Sequence, residues 1–126
     1  MMQAIPVAIV DDMSRPAAVL KVLGDPNRLR IFAELMRGDT CNCELVERLG
    51  IPANLLSHHL KVLSEAGLVT ARRDRIDSRW IYYSADRKAV DSWRRYLNDL
   101  FDTTRIQERD LCGPEGQCRD ILAQAV

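Results

Sequence analysis

Five stretches with apolar residues at three- and four-residue spacings, and one pair of β-prone runs around a charged turn, predict a mostly α-helical domain with a single β-hairpin. The length agrees: 126 residues, 47% apolar and 29% charged, suit one compact core better than disorder or a fibre. Eighteen basic and eighteen acidic side chains cancel, so any attraction to nucleic acid must come from a local patch. No apolar run approaches the roughly 20 residues that cross a bilayer, and no signal-type segment opens the chain, so a soluble cytoplasmic protein without a membrane partner is expected. Four cysteines in such a chain are expected as reduced thiols, available as ligands, rather than as a disulfide framework.

Residues 1–13 mix apolar and acidic side chains without a period and are expected to form a flexible arm. The folded domain is expected over 14–104. Ser14 is a candidate cap for a first helix whose Val19, Leu20 and Leu23 share a face, with Gly24 as its stop. Asp25-Pro26 pairs a capping residue with proline at the first helical position, and Leu29, Ile31, Phe32, Leu35 and Met36 fill a broad stripe towards Gly38. Capping residues from Asp39 to Asn42 precede a short third helix with Leu45, Val46 and Leu49, closed by Gly50. After the Ile51-Pro52 turn, a fourth helix from Ala53 to Ala66 places Leu56, Leu60 and Leu63 on one face and stops at Gly67. Two helices joined by so short a turn have the layout of a helix-turn-helix. Strand-like runs at Leu68–Ala71 and Arg79–Tyr83 flank the charged stretch 72–78 and form a hairpin, or wing. A fifth helix from about Asp86 carries Val90, Trp93, Leu97, Leu100 and Phe101 on one stripe. Residues 105–126 are expected as a turn-rich tail containing Cys112 and Cys118.

A helix that reads DNA needs a polar outer side with donors able to reach base edges. Asn54, Ser57, His58, His59 and Lys61 on the fourth helix are the candidates. Adjacent helical residues face about 100° apart, so one histidine of the pair is expected at the DNA backbone and the other in packing. Between residues 51 and 84 the basic side chains are Lys61, Arg72, Arg73, Arg75 and Arg79 and the acidic ones Glu65, Asp74 and Asp77. The neutral total therefore hides a basic face whose wing arginines would meet phosphates or the minor groove. No glycine-rich phosphate loop, Gly-x-Ser-x-Gly elbow or catalytic carboxylate pair occurs, so no enzyme is expected.

Leu20-Lys21-Val22-Leu23-Gly24-Asp25-Pro26-Asn27-Arg28-Leu29-Arg30-Ile31, Glu44-Leu45-Val46-Glu47-Arg48-Leu49-Gly50 and Ser57-His58-His59-Leu60-Lys61-Val62-Leu63 resemble the ArsR/SmtB family of winged-helix metal-sensing repressors. The resemblance covers roughly residues 17–101 and leaves the arm and tail outside it. It implies a winged helix-turn-helix of about five helices plus a wing, binding double-stranded operator DNA as a homodimer. The dimer is expected on the first helix near Val19 and Leu20 and on the stripe of the last helix. Pro52 and Ala53 depart from the polar cap and glutamine-like residue that open the family's fourth helix, and Leu55 stands where threonine is common.

Cys41-Asn42-Cys43 resembles the cysteine pair carried at the same place by arsenic-, antimony-, cadmium- and lead-responsive members. Val46 stands where some members have a third cysteine, so the third sulfur is expected from Cys112 or Cys118, which alternatively form a tail site or a disulfide. Residues two apart on an ideal helix point about 200° apart, so one ion reaches both sulfurs only if the helix start is capped or distorted. Cys41 falls near the cap, with Glu44 placed as its N3 partner. Thiolates select soft ions, so As(III) or Sb(III) is the expected inducer and Cd(II) or Pb(II) the alternative. A thiol-redox-sensing repressor is a further alternative. A Cys-x-Cys redox enzyme is disfavoured, because the chain lacks the β-α-β pattern of such folds.

Overall fold

A computed structural model describes residues 12–116. The elements run α1 (Ser14–Leu23), α2 (Pro26–Leu35), β1 (Thr40–Cys41), α3 (Asn42–Leu49), α4 (Ala53–Glu65), β2 (Val69–Arg73), β3 (Ile81–Ala85), α5 (Arg87–Leu100) and a 3-10 turn at Thr103–Arg105. Most of the arm (1–11) and the end of the tail (117–126), including Cys118, lie outside the described residues.

Local chemistry sets the helix ends. Ser14 is not the cap of α1 but its first residue; the Asp12 carboxylate accepts from its backbone N–H at 3.1 Å and its hydroxyl at 2.7 Å. Asp25 caps α2 as expected, accepting from the N–H groups of Asn27 at 2.9 Å and Arg28 at 3.1 Å, with Pro26 at the first helical position. The helix stops at Leu35 rather than near Gly38, because the backbone tightens into turns in which Arg37 donates to Glu34 and Gly38 to Leu35. Gly50 ends α3 at φ +66°, a left-handed conformation that a β-carbon would strain, and this reverses the chain into α4. Asp86 caps α5 through the Ala89 N–H at 3.1 Å.

The sheet is antiparallel in the order β1-β3-β2. Its register opposes Val69 to Ala85 and Arg73 to Ile81, so Arg72 and Arg73 belong to strand β2 and not to the turn, which spans 74–80. The two-residue strand β1 pairs Thr40 with Tyr83 and Cys41 with Tyr82; two residues are too few for a period to announce.

Ile31 and Leu35 of α2, Leu45 of α3, Leu56, Leu60 and Leu63 of α4, and Leu68 and Val69 at the start of the wing form the core. Val19 belongs to this core at 8% exposure while still lining the open cleft described below, and its neighbour Leu20 is exposed. α5 behaves differently. None of its side chains is fully buried: Val90, Trp93 and Leu97 are half-covered, Leu100 is exposed, and Phe101 just beyond the helix is 72% exposed. A cleft of about 430 Å³ between α1, α2 and α5 is lined by Leu20, Leu23, Phe32, Trp93, Leu97 and Phe101 among others.

Candidate nucleic-acid interface and thiol pair

The α3–α4 unit is held rigidly at its turn. Gly50 donates to Val46 at 2.9 Å, Leu56 to Pro52 at 2.9 Å, and the Arg30 guanidinium reaches across from α2 to the Leu49 carbonyl at 2.8 Å. Arg48 ties α3 to α2 through Glu34 at 2.7 Å. Sequence reasoning passed over both arginines, because contacts between separate helices leave no local period.

Leu56, His59, Leu60 and Leu63 turn α4 into the core, while Asn54, Leu55, Ser57, His58 and Lys61 are exposed. The packing half of the expected division is present, since His59 turns inward and His58 outward, and this burial removes His59 from the candidate DNA contacts. That ring is 5% exposed, with Nδ1 3.4 Å from an Arg28 nitrogen. Arg28 is itself anchored through Nε to the Val22 carbonyl at 2.6 Å. Burial holds the His59 pKa below its ordinary 6.5; nearby Arg28 and His58 add to this and Asp25 opposes it. Leu55, which either meets a thymine methyl or packs inward, lies on the outer side at 38% exposure.

The wing presents four arginines in different states. Arg72 lies over the Tyr82 ring at 4.8 Å from its centroid, Arg73 donates to the Ser78 carbonyl at 2.7 Å, and Arg79 pairs with Asp77 at 2.7 Å. Arg75 is exposed and has no hydrogen bond or ion pair among the described residues. One organiser was missed in the sequence. Asp74 accepts from the N–H groups of Ile76 and Asp77 and from the Tyr82 hydroxyl, and these bonds keep its carboxyl below the usual carboxylate range. An aspartate opening a polar turn is the available signal, since its side chain bonds to amides two and three residues on.

The cysteine pair straddles a junction. Cys41 is the cap residue of α3 with extended backbone (φ −89°, ψ 164°), and it ends strand β1. It therefore escapes the opposed orientation that two helical residues would have. Its side chain is 5% exposed, whereas Cys43 in the first helical turn is exposed, its Sγ 3.8 Å from the Asn42 amide oxygen. Cys41 makes no side-chain capping bond, and Glu44 accepts instead from the Thr40 hydroxyl at 2.7 Å, replacing the capping pair expected between Cys41 and Glu44. Cys112 is exposed in the tail. Among the described residues no group of three or more His, Cys, Asp or Glu side chains is arranged to hold a metal ion. Among the described residues, two soft sulfur donors therefore stand at the α3 start without a third beside them.

A short helix, a tight turn, a second helix with a polar outer face and a basic hairpin define a winged helix-turn-helix DNA-binding regulator. Residues 25–71 match the family model described as "Bacterial regulatory protein, arsR family". The chain is 32% identical over 95 residues to a transcriptional repressor SmtB homolog of Synechocystis, covering 75% of this chain and 70% of that protein. It is 43% identical over 58 residues to the arsenical resistance operon repressor of Staphylococcus xylosus, covering 46% of this chain and 56% of that one. A solved structure described as a possible transcriptional regulator for arsenical resistance superposes with a TM-score of 0.55 at 31% identity, over 85% of this chain and 95% of that one. The chain belongs to the arsR family of bacterial regulatory proteins and is a transcriptional repressor of the ArsR/SmtB type. The family consists of transcriptional regulators, not enzymes, and no described helix is long and apolar enough to cross a membrane.

Proposed function

We propose that the chain is a cytoplasmic, homodimeric repressor that leaves its operator when As(III) or Sb(III) is bound by thiolates of Cys41 and Cys43, with a third sulfur from Cys112 or Cys118 of either subunit. The observation that carries the reading is the double role of Cys41. It is strand-paired with Tyr82 in the wing and is at the same time the cap residue of α3. Drawing its buried sulfur out to meet that of the exposed Cys43 disturbs both the β1–β3 pairing and the start of the helix that supports α4. Retaining the DNA-binding geometry and satisfying the ion therefore compete. The scale is adequate by analogy: structural zinc sites in zinc-finger peptides supply about 10–16 kcal/mol, and moving an equilibrium from nearly all bound to nearly all free takes about 5.5 kcal/mol of differential affinity. The names of the arsenical resistance repressors among the relatives support this choice of inducer.

Asn54, Ser57, His58 and Lys61 would face the major groove, and Arg72, Arg73, Arg75 and Arg79 the backbone beside it. A second copy of the chain would cover Leu20 and the stripe Val90, Trp93, Leu97, Leu100 and Phe101, because two half-sites one DNA turn apart require a two-fold axis. The test titrates the reduced protein with arsenite, cadmium, lead and peroxide, following sulfur-to-metal ultraviolet absorption and operator release together. Cys41→Ser and Cys43→Ser should each keep DNA binding and abolish release by arsenite, whereas changing Cys112 or Cys118 should lower ion affinity or shift selectivity. Arsenite-driven release that survives the loss of both Cys41 and Cys43 overturns the mechanism. Release by cadmium or lead but not arsenite moves the assignment to the softer divalent ions, and release by peroxide alone moves it to thiol oxidation.

A further inference from the structure

The tip of the wing carries an apolar side chain that the fold does not use. Ile76 is 98% exposed, the most exposed of the large apolar side chains described. An exposed isoleucine on a slack loop would mean little. This one sits on a backbone fixed from several directions. Asp74 Oδ1 accepts from the Ile76 N–H at 2.8 Å and the Asp77 N–H at 3.0 Å, the Asp74 N–H donates to the Trp80 carbonyl at 2.8 Å, and Trp80 returns a bond to Asp77 at 3.0 Å. The second Asp74 oxygen accepts from the Tyr82 hydroxyl at 2.9 Å, and Tyr82 is itself covered by the Arg72 guanidinium. The cost of ordering the tip is thus met on folding rather than on binding.

Charge identifies the occupant. Over residues 72–79 four arginines face two aspartates. Both aspartates are engaged within the turn, Asp77 with Arg79 at 2.7 Å, while Arg75 beside Ile76 has no partner among the described residues. A rigid apolar tip beside an unpaired guanidinium matches the DNA minor groove, which has negative potential, phosphate rims and deoxyribose walls that take apolar side chains. We infer that Ile76 is the residue by which the wing enters the minor groove of operator DNA, and that Asp74 is a positioning residue that holds it there. The inference rests on the placement of the wing against DNA proposed above and adds a specificity to it. Guanine alone projects an amino group into the minor groove, so an apolar tip there disfavours G·C pairs.

The experiment uses the full chain and duplexes selected by the wild-type protein from a random-sequence pool. In these duplexes the pairs beneath the wing are changed from A·T to inosine·C and to G·C. Inosine·C keeps the major groove of G·C but lacks the minor-groove amino group, so wild-type protein should bind A·T and inosine·C alike and G·C several-fold more weakly. Ile76→Ala should bind about fivefold more weakly and lose that discrimination, and Ile76→Asp should lose about tenfold or more. Asp74→Ala removes an anion from a DNA-facing hairpin, so electrostatics alone would tighten binding; loss of affinity is expected instead. Tyr82→Phe, which keeps the hairpin and deletes one bond to Asp74, should give a smaller loss in the same direction. Thermal melting checks that the Ile76 variants fold like the wild type. Ile76 variants with wild-type affinity and an unchanged order of preference, or an Asp74→Ala protein that binds more tightly, overturn the inference while leaving the α4 reading standing. A wild-type protein that selects no duplex overturns both.

Discussion

Helices α4 and α5 are nearly equal in length, 13 and 14 residues, and both are amphipathic, yet they spend their apolar faces in different places. Leu56, His59, Leu60 and Leu63 bury the inner face of α4 within the chain. No residue of α5 is fully buried there, although its stripe of Val90, Trp93, Leu97 and Leu100 is just as regular. A helix whose apolar side is satisfied at home leaves its outer side for a partner, which in the function proposed above is nucleic acid. A helix whose apolar side stays open calls for another apolar surface, which a second copy of the chain can supply. Period alone distinguishes buried from solvent-facing positions and is silent on which chain does the burying.

The comparison breaks most visibly in stability. Leu60→Ala should cost about 2–5 kcal/mol by urea denaturation, since it opens a cavity in a closed core. Leu100→Ala, already exposed in the single chain, should cost the isolated subunit about 0.5 kcal/mol or less. Equal losses would show that α5 is buried by its own chain after all.

Association sharpens it next. Trp93→Glu places a charge on the half-covered stripe beside Tyr96, whose ring meets that of Trp93 edge-on at 5.7 Å. Sedimentation at micromolar concentration should find wild-type dimers and Trp93→Glu monomers, with far-ultraviolet circular dichroism preserved. A wild-type monomer under the same conditions removes the role assigned to α5.

A smaller effect separates the two helices by pH. His59 on α4 is buried with its pKa held below 6.5, so the unfolded chain takes up a proton before the folded one does. Its contribution is complete above about pH 6.5 and declines as pH falls below that value, which gives stability a positive slope with pH in that window. Asp25, Asp74 and Asp77, held below 3.8 by hydrogen bonds, add a second loss only near and below that value as they are protonated. Melting temperatures at about pH 7.5 and about pH 5.5 should therefore fall more for wild type than for His59→Gln. An equal fall in both proteins removes His59 as the cause.

The smallest expected effect is at the wing. Arg75→Ala should reduce the slope of log affinity against log salt by about one and weaken all duplexes alike, whereas Ser57→Ala should alter sequence preference and leave the slope in place. An unchanged slope for Arg75→Ala would move the phosphate contact to another arginine.

Most elements of the fold were legible because their signals are local. Asp25-Pro26 caps a helix through amides two and three residues away, and Gly50 and Gly67 stop helices by adopting positive φ themselves. The leucine spacing in α4 needs no neighbour to be recognised. The candidate DNA face followed from the same logic, except that the period could not say which of His58 and His59 turns inward.

What tertiary structure alone decided depends on residues far apart in the chain. Strand β1 exists only because Thr40 and Cys41 lie beside Tyr83 and Tyr82, more than forty positions away, and this pairing connects a thiol to the wing. Arg28 and His59 meet across 31 positions, and Arg30 reaches the helix-turn-helix turn across 19. The amino-acid sequence by itself determined the helices, the glycine stops of α3 and α4 and the family resemblance. Packing determined that Val19 faces its own core, that α5 packs against that core only in part, and that Cys41 is buried while Cys43 is open. The physical reason is range: hydrogen-bonded caps and helical periods act over about four residues, whereas burial depends on whatever the rest of the chain brings alongside.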